Sequence, residues 1–130
     1  MKIAFKSVVK MDDTDDIVTE YITDANSENY EYDGILYKVY TYKEFGNGPI
    51  NRIELNENNV NIFREKTSII TVKNKKNEES EIDLGTGMTY KLISELINVE
   101  NFDKGWNIHY ILYSLANQKL SECYITIIEQ

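Results

Sequence analysis

The stretch Lys104-Gly-Trp-Asn-Ile-His-Tyr-Ile-Leu-Tyr-Ser-Leu115, with Leu120-Ser-Glu-Cys-Tyr-Ile-Thr-Ile-Ile128 after it, decides the fold class of this chain. Both segments are rich in β-branched and aromatic residues, and the polar tetrapeptide Ala-Asn-Gln-Lys separates them. Such runs favour strands, and a short polar turn between two of them predicts a hairpin. Alternate residues of a strand share a face, so we predict one inward-facing set: Trp106, Ile108, Tyr110, Leu112, Cys123, Ile125 and Ile127.

The same pattern extends back to the N-terminus, with turn signals about every ten residues and no amphipathic helical stripe. Asp33-Gly34 is typical of a tight hairpin turn, Lys73–Ser80 of a charged turn and Gly85-Thr-Gly87 of a bend. Closing the sheet removes exposed strand edges. We therefore predict an all-β chain that forms a single antiparallel up-and-down β-barrel of about 8–10 strands. The predicted earlier strands are Met1–Lys10, Ile17–Tyr32 with a bend at Asp24–Asn29, Ile35–Tyr42, Asn51–Asn56, Val60–Arg64, Thr67–Val72, Ile82–Gly85 and Met88–Leu96.

Length and charge limit the function classes. A chain of 130 residues predicts one domain, 1–130. The net charge of −8 disfavours nucleic acid and anionic membranes as partners, because their phosphates would be repelled. Cys123 is the one cysteine, so no intramolecular disulfide can form. The start of the chain lacks the apolar run of a signal peptide, and no segment has the roughly 18 apolar residues of a membrane helix. We expect a cytoplasmic protein.

Three segments carry a family resemblance: Ile3-x-Phe-x-Ser7 at the start, Trp106-x-Ile-x-Tyr-x-Leu112, and the ending Leu120-Ser-Glu-Cys-Tyr-Ile-Thr-Ile127. With the strand order, they resemble the YwiB-like family, small bacterial proteins of unknown function. The resemblance covers nearly the whole chain and implies a calycin-like, lipocalin-like barrel. It implies no catalytic or binding residues. It does imply where a ligand would lie, because sites in such barrels are in the mouth or interior.

No catalytic, metal or cofactor motif is present in the sequence. His109 has no nucleophile or carboxylate motif to act with, and Cys123 has no neighbour in sequence that would lower its pKa. We interpret His109 as an ordinary strand residue that faces solvent or a polar neighbour, and Cys123 as a small buried core residue. The aspartates of Asp12–Asp16 lack the glycine and late glutamate of a calcium loop, which favours a solvated turn. We therefore predict no catalytic residues, no metal and no cofactor.

The ten tyrosines are the best functional lead. We predict a ligand-binding set of Tyr37, Arg64, Tyr90, Trp106 and Tyr110. The aromatic rings would surround a small apolar or aromatic ligand, and Arg64 would meet a carboxylate group. The alternative is that the same rings fill the barrel, because small barrels can be just wide enough for their side chains.

Two main hypotheses follow, and both remain open on the sequence alone. The first is a non-catalytic binding protein that holds a small, partly apolar ligand. The second is a structural or interaction module with a filled barrel, as a monomer or homodimer. Outward apolar residues favour the second: Ile93, Ile97, Ile111 and Tyr113. A hydrolytic or isomerising enzyme is the least favoured reading.

Overall fold

The computed structural model describes residues 1–85 and 87–130, and its strands form one closed barrel. Each strand pairs antiparallel with its neighbour in sequence, and the last strand pairs with the first. The predicted all-β, up-and-down barrel is confirmed. The ten strands are β1 (Lys2–Lys10), β2 (Ile17–Tyr32), β3 (Ile35–Lys43), β4 (Ile50–Leu55), β5 (Asn59–Arg64), β6 (Thr67–Val72), β7 (Asn77–Asp83), β8 (Thr89–Phe102), β9 (Gly105–Tyr113) and β10 (Lys119–Glu129), with a 3₁₀ turn at Glu44–Gly46.

The barrel has two different ends. The end that carries both termini, here called the base, is filled by large side chains. Tyr40 is fully buried there, and its hydroxyl donates to Glu129 Oε2 at 2.7 Å. Trp106 is 7% exposed. The opposite end, here called the mouth, lies where β1, β3 and β5 end. The buried apolar cluster that fills the barrel toward the base includes Ile3, Tyr40, Leu55, Val60, Leu96, Trp106 and Ile127.

Strand β2 changes partner halfway along its length. Ile17–Asp24 pairs with β1, whereas Ala25–Tyr32 pairs with β3. The predicted bend at Asp24–Asn29 therefore begins where one pairing gives way to the other, and the strand is continuous through it. Toward the mouth, the 3₁₀ turn follows β3, and Thr23 Oγ1 donates to the Lys43 carbonyl at 2.7 Å. The mouth thus has a gap in its strand wall that a turn covers.

Strand β7 begins inside the segment predicted as a charged turn, 73–80. Its pairing with β6 is short, with Ser68 opposite Glu81. Beyond that pair, side-chain hydroxyls replace the backbone ladder. Ser80 Oγ accepts from the Ile70 N–H at 2.9 Å, and Ser94 Oγ donates to the Ile70 carbonyl at 2.6 Å. Contact between β7 and β6 thus depends on polar side chains. For this reason the polar sequence of the segment predicted a turn where the structure has the start of a strand.

The predicted bend at Gly85-Thr-Gly87 includes Thr86, which lies outside the described residues. Gly85 and Gly87 on either side both have φ of +81°, a conformation that favours glycine. The segment joins β7 to β8 at the mouth. Within residues 1–85 and 87–130, no helix is long and apolar enough to cross a membrane.

Candidate ligand site at the mouth of the barrel

A cavity of about 210 Å³ occupies the interior near the mouth. It is enclosed by β1, the first half of β2, β9 and β10, and by the turn that covers the gap in the wall. Its position follows from strand alternation, which turns every second residue of these strands inward. The residues that line it are Phe5, Ser7, Val9, Thr19, Tyr21, Glu44, Asn51, Arg64, Tyr110, Cys123 and Ile125.

Aromatic rings form one wall of this cavity. Tyr21 is stacked on Phe5, with ring centroids 5.0 Å apart and planes inclined by 20°. Tyr42 lies 5.7 Å from Phe5, and Phe45 lies 4.5 Å from Tyr21 on the outer side. Phe45 is 63% exposed and has φ of 53°, which is uncommon for a residue with a bulky side chain. The turn therefore holds an exposed ring against the aromatic wall.

An ion pair forms the polar side of the cavity. Glu44 accepts from Asn51 Nδ2 at 2.6 Å, and Arg64 contacts both of its carboxylate oxygens, through Nε and at 3.3 Å through a terminal nitrogen. Burial favours a raised pKa for Glu44, but the hydrogen bonds from Arg64 and Asn51 outweigh it and lower that pKa. The same pairing raises the pKa of Arg64. The charge of Arg64 is thus already balanced by a carboxylate of the protein itself.

The hydroxyl of Tyr42 is buried and makes no hydrogen bond of good geometry with the described residues. The Tyr21 hydroxyl is near enough that the two groups affect each other's pKa. Burial raises the pKa of Tyr21 to about 12 and also raises that of Tyr42. Both phenols therefore keep their protons near neutral pH. A buried hydroxyl without a hydrogen bond of good geometry is costly to the folded state.

Two other lining groups also remain protonated at neutral pH. Tyr110 is 8% exposed, and burial raises its pKa well above the usual range. Burial also raises the pKa of the Cys123 thiol. The thiolate is the reactive form of cysteine, so this environment favours an inert side chain over a nucleophile. Besides the ion pair, the cavity therefore offers rings and neutral hydrogen-bonding groups.

The structure separates the five residues predicted to bind a ligand. Arg64 and Tyr110 line the mouth cavity. Trp106 is packed in the core at the base. Tyr37 is buried on the outer surface, against Glu54 and Asn61. Tyr90 lies opposite Ile82 in the register of β7 and β8 and is 45% exposed near the mouth.

The predicted ligand-binding set missed most of the residues that line the cavity, among them Phe5, Tyr21, Asn51 and Glu44. Phe5 and Tyr21 lie opposite each other in the β1–β2 register, and their alternation with polar residues was a usable signal. The sequence around Asn51 and Glu44 contains no such signal, because a polar residue at the start of a strand or in a turn is ordinarily solvated. Burial of Asn51, which is 6% exposed, depends on its bond to Glu44 from the covering turn.

His109 lies outside the cavity, on the outer face of β9. Its ring is stacked on Tyr124 with centroids 4.2 Å apart, and its Nε2 lies 3.6 Å from Glu122 Oε2. Among residues 1–85 and 87–130, no group of three or more histidine, cysteine, aspartate or glutamate side chains is arranged to hold a metal ion. The interpretation of His109 as a strand residue beside a polar neighbour agrees with this placement.

Comparison with known proteins gives the fold but no function. No protein-family model matches this chain. No curated protein matches it either. Among solved structures, the chain is similar to the YwiB protein from Bacillus subtilis, with a TM-score of 0.62 and 17% sequence identity over 99% of this chain and 90% of that one. The chain therefore has a YwiB-like fold.

Proposed function

We propose that this protein binds a small, partly apolar, uncharged molecule in the mouth cavity, as a member of the YwiB-like group of calycin-like barrels. The observation that carries the proposal is the cavity itself, whose lining combines the stacked rings of Phe5 and Tyr21 with neutral hydroxyl groups and an internal ion pair. The resemblance in sequence and the shared fold support membership of the group. The absence of a possible intramolecular disulfide supports a cytoplasmic location.

The size of the cavity limits the ligand. Its volume of about 210 Å³ is below the roughly 300–1,000 Å³ of sites for drug-sized molecules. An engineered apolar cavity of about 150 Å³ binds benzene. A molecule of about one ring therefore fits, with its face toward Phe5 and Tyr21 and its polar atom near the tyrosine hydroxyls.

The charge of the cavity selects an uncharged ligand. Arg64 would meet a ligand carboxylate if its own charge were unbalanced. Since Glu44 already contacts it through both oxygens, a second carboxylate would be repelled by the first. The proposal therefore keeps Arg64 in the site but changes its role, because Arg64 holds Glu44, and with it the covering turn, against Asn51.

Phenol titrated into isotope-labelled protein and followed by NMR tests the proposal, with benzoate as the charged analogue. We expect phenol to shift the amide signals of Phe5 and Tyr21 and benzoate to shift them much less. Ser7→Leu fills the cavity from an inward position of β1 and should abolish these shifts. Val8→Leu, one residue along and on the outer face, is the matched control and should retain them. Phenol shifts that persist in Ser7→Leu, or none in the unmodified protein, would contradict the proposal.

Self-association is a second candidate function, favoured by a row of apolar residues on the outer face. Val18, Ile22 and Ile128 are 55%, 61% and 37% exposed. This is not the surface expected from the sequence: Ile93 is 6% exposed, so the structure contradicts its assignment as an exposed contact. Light scattering after size exclusion tests this candidate. A dimer that Ile22→Glu converts to a monomer would support it, and a monomer at every concentration would refute it.

A further inference from the structure

A second cleft, of about 460 Å³, lies on the outer surface near the base. It arises because the β2–β3 hairpin extends past β4, whose pairing with β3 stops at Lys38 opposite Leu55. Tyr30 lies opposite Tyr37 on this hairpin, facing away from the barrel core. The cleft runs between these rings and the outer faces of β4 to β7. Its main lining residues are Tyr30, Tyr32, Tyr37, Glu54, Asn61 and Glu79.

Tyrosine rings form the hairpin side of this cleft. Tyr30 and Tyr32 are nearly parallel, with centroids 6.4 Å apart and planes inclined by 9°. The Arg52 guanidinium lies 5.3 Å from the Tyr30 centroid, so a cation of the protein itself lies against that ring and leaves it to contact the apolar part of a ligand. Tyr37 forms the floor and is 7% exposed although it lies on the outer face.

Two acceptors lie beside these rings. Glu54 Oε1 accepts from Asn61 Nδ2 at 3.1 Å, and Glu54 Oε2 accepts from Arg52 Nε at 3.1 Å. A carboxylate can only accept, so the amide nitrogen of Asn61 must be the atom that faces Glu54. The amide oxygen of Asn61 consequently faces elsewhere. That oxygen is buried and accepts no hydrogen bond of good geometry from the described residues, and the Tyr37 hydroxyl lies close to the same amide group.

The carboxylate of Glu54 is itself largely shielded. Its side chain is 13% exposed, and it lies close enough to Tyr37 to help burial raise the pKa of that phenol. Glu79 adds a second carboxylate to the lining. Arg52 already balances the charge of Glu54, so Glu79 is the carboxylate that leaves the cleft negative overall, beside ring faces and an acceptor without a hydrogen bond of good geometry. An anionic ligand would be repelled, whereas a cation would also be attracted by the net charge of −8.

We propose that the outer cleft binds a small organic cation with a primary ammonium group and a short apolar chain. The ammonium donates to Asn61 Oδ1 and approaches Glu54, and the chain packs against Tyr30 and Tyr32. A quaternary ammonium would satisfy the rings but has no N–H for the Asn61 oxygen. The cleft therefore favours primary amines. This inference is independent of the mouth cavity, which takes an uncharged molecule.

Titration of n-butylammonium into isotope-labelled full-length protein tests the proposal. We expect saturable shifts of the Asn61 side-chain amide and of Tyr37, and weaker binding of tetramethylammonium and n-butanol. Binding of n-butanol as tight as that of n-butylammonium would overturn the proposal, because charge would then play no part. Shifts confined to Phe5 and Tyr21 would also overturn it, since they would place the amine in the mouth cavity.

Two variants and a control separate the contributions. Glu54→Gln keeps the shape of the side chain and removes its charge. It should weaken the binding of n-butylammonium about tenfold. Tyr32→Leu removes one ring wall at a position that is 65% exposed, so folding should not depend on it, and should weaken binding about threefold. Glu100→Gln makes the same charge change at an exposed site on β8 and should leave affinity unchanged. Equal losses in Glu54→Gln and Glu100→Gln would refute the site in favour of general charge attraction.

Discussion

Removing the hydroxyl of Tyr42 should stabilise the free protein, against the usual direction of a core substitution. Tyr42 is 3% exposed, and its hydroxyl is buried without a hydrogen bond of good geometry. Leaving such a group unpaired costs about 1–3 kcal/mol. Tyr42→Phe removes this cost while the ring keeps its packing. We expect the free energy of unfolding to rise by about 1 kcal/mol, which corresponds to about 3–5 °C in Tm for a chain of this size.

Tyr40→Phe is the matched control, because it is the same chemical change two residues away on the same inward face. The Tyr40 hydroxyl donates to Glu129 Oε2 at 2.7 Å. A hydrogen bond to a charged group contributes about 1.5–3 kcal/mol, and its loss strands the acceptor. We expect Tyr40→Phe to lower the free energy of unfolding by about that amount. The free energy of unfolding should therefore rise in Tyr42→Phe and fall in Tyr40→Phe.

Urea unfolding followed by circular dichroism measures both changes, and an unchanged slope with denaturant would show that the folded state is comparable. A loss of 1 kcal/mol or more in Tyr42→Phe would refute the reasoning. It would mean that the hydroxyl has a good partner in the folded protein, such as an ordered water.

Three further predictions concern other parts of the barrel. Burial raises the pKa of Tyr110 above its unfolded value of about 10. The stability that this phenol contributes is therefore present below pH 10 and is lost as the pH rises further. Tyr110→Phe should reduce the slope of unfolding free energy against pH above 10 by up to about 1.4 kcal/mol per pH unit. Ser94→Ala removes the donor to the Ile70 carbonyl and should cost about 1–2 kcal/mol in urea unfolding, whereas no change would show that the β6–β8 contact does not need the hydroxyl. Gly105→Ala would place a Cβ 2.0 Å from the Ile127 carbonyl oxygen. We therefore expect the free energy of unfolding to fall by more than about 3 kcal/mol, or no soluble folded protein. Near-normal stability would contradict the close approach of these strands.

The fold was predictable because its signals are local. Trp106, Ile108 and Tyr110 alternate with less buried residues along β9, and all three are buried as predicted. Turn residues such as Asp33 and Gly34 set the hairpins, and both have positive φ in the structure. The sequence did not predict strand pairing that depends on side chains. At Ser80, for example, a side-chain hydroxyl takes the place of a backbone hydrogen-bond ladder.

The candidate sites were less predictable because they depend on contacts between distant segments. Tyr37 was assigned to the interior by its tyrosine neighbours, yet it is buried on the outer surface because the hairpin extends past β4. Glu44 precedes Arg64 by twenty residues, and nothing in either local sequence indicates that they meet. Both clefts lie beside β2, whose change of partner is a property of the whole sheet.

The change of partner in β2 also explains how a filled base and a cavity at the mouth coexist in one barrel. The interior of a barrel widens as strands are added, and about eight strands already leave just enough room for side chains. Ten strands therefore require large residues to fill the centre, which accounts for Tyr40 and Trp106 at the base. At the mouth the wall is a turn where a strand would otherwise lie, and its Glu44 pairs with Arg64 beside Asn51. The ion pair lines the cavity without filling it, so a ligand there would replace neither ring nor charge.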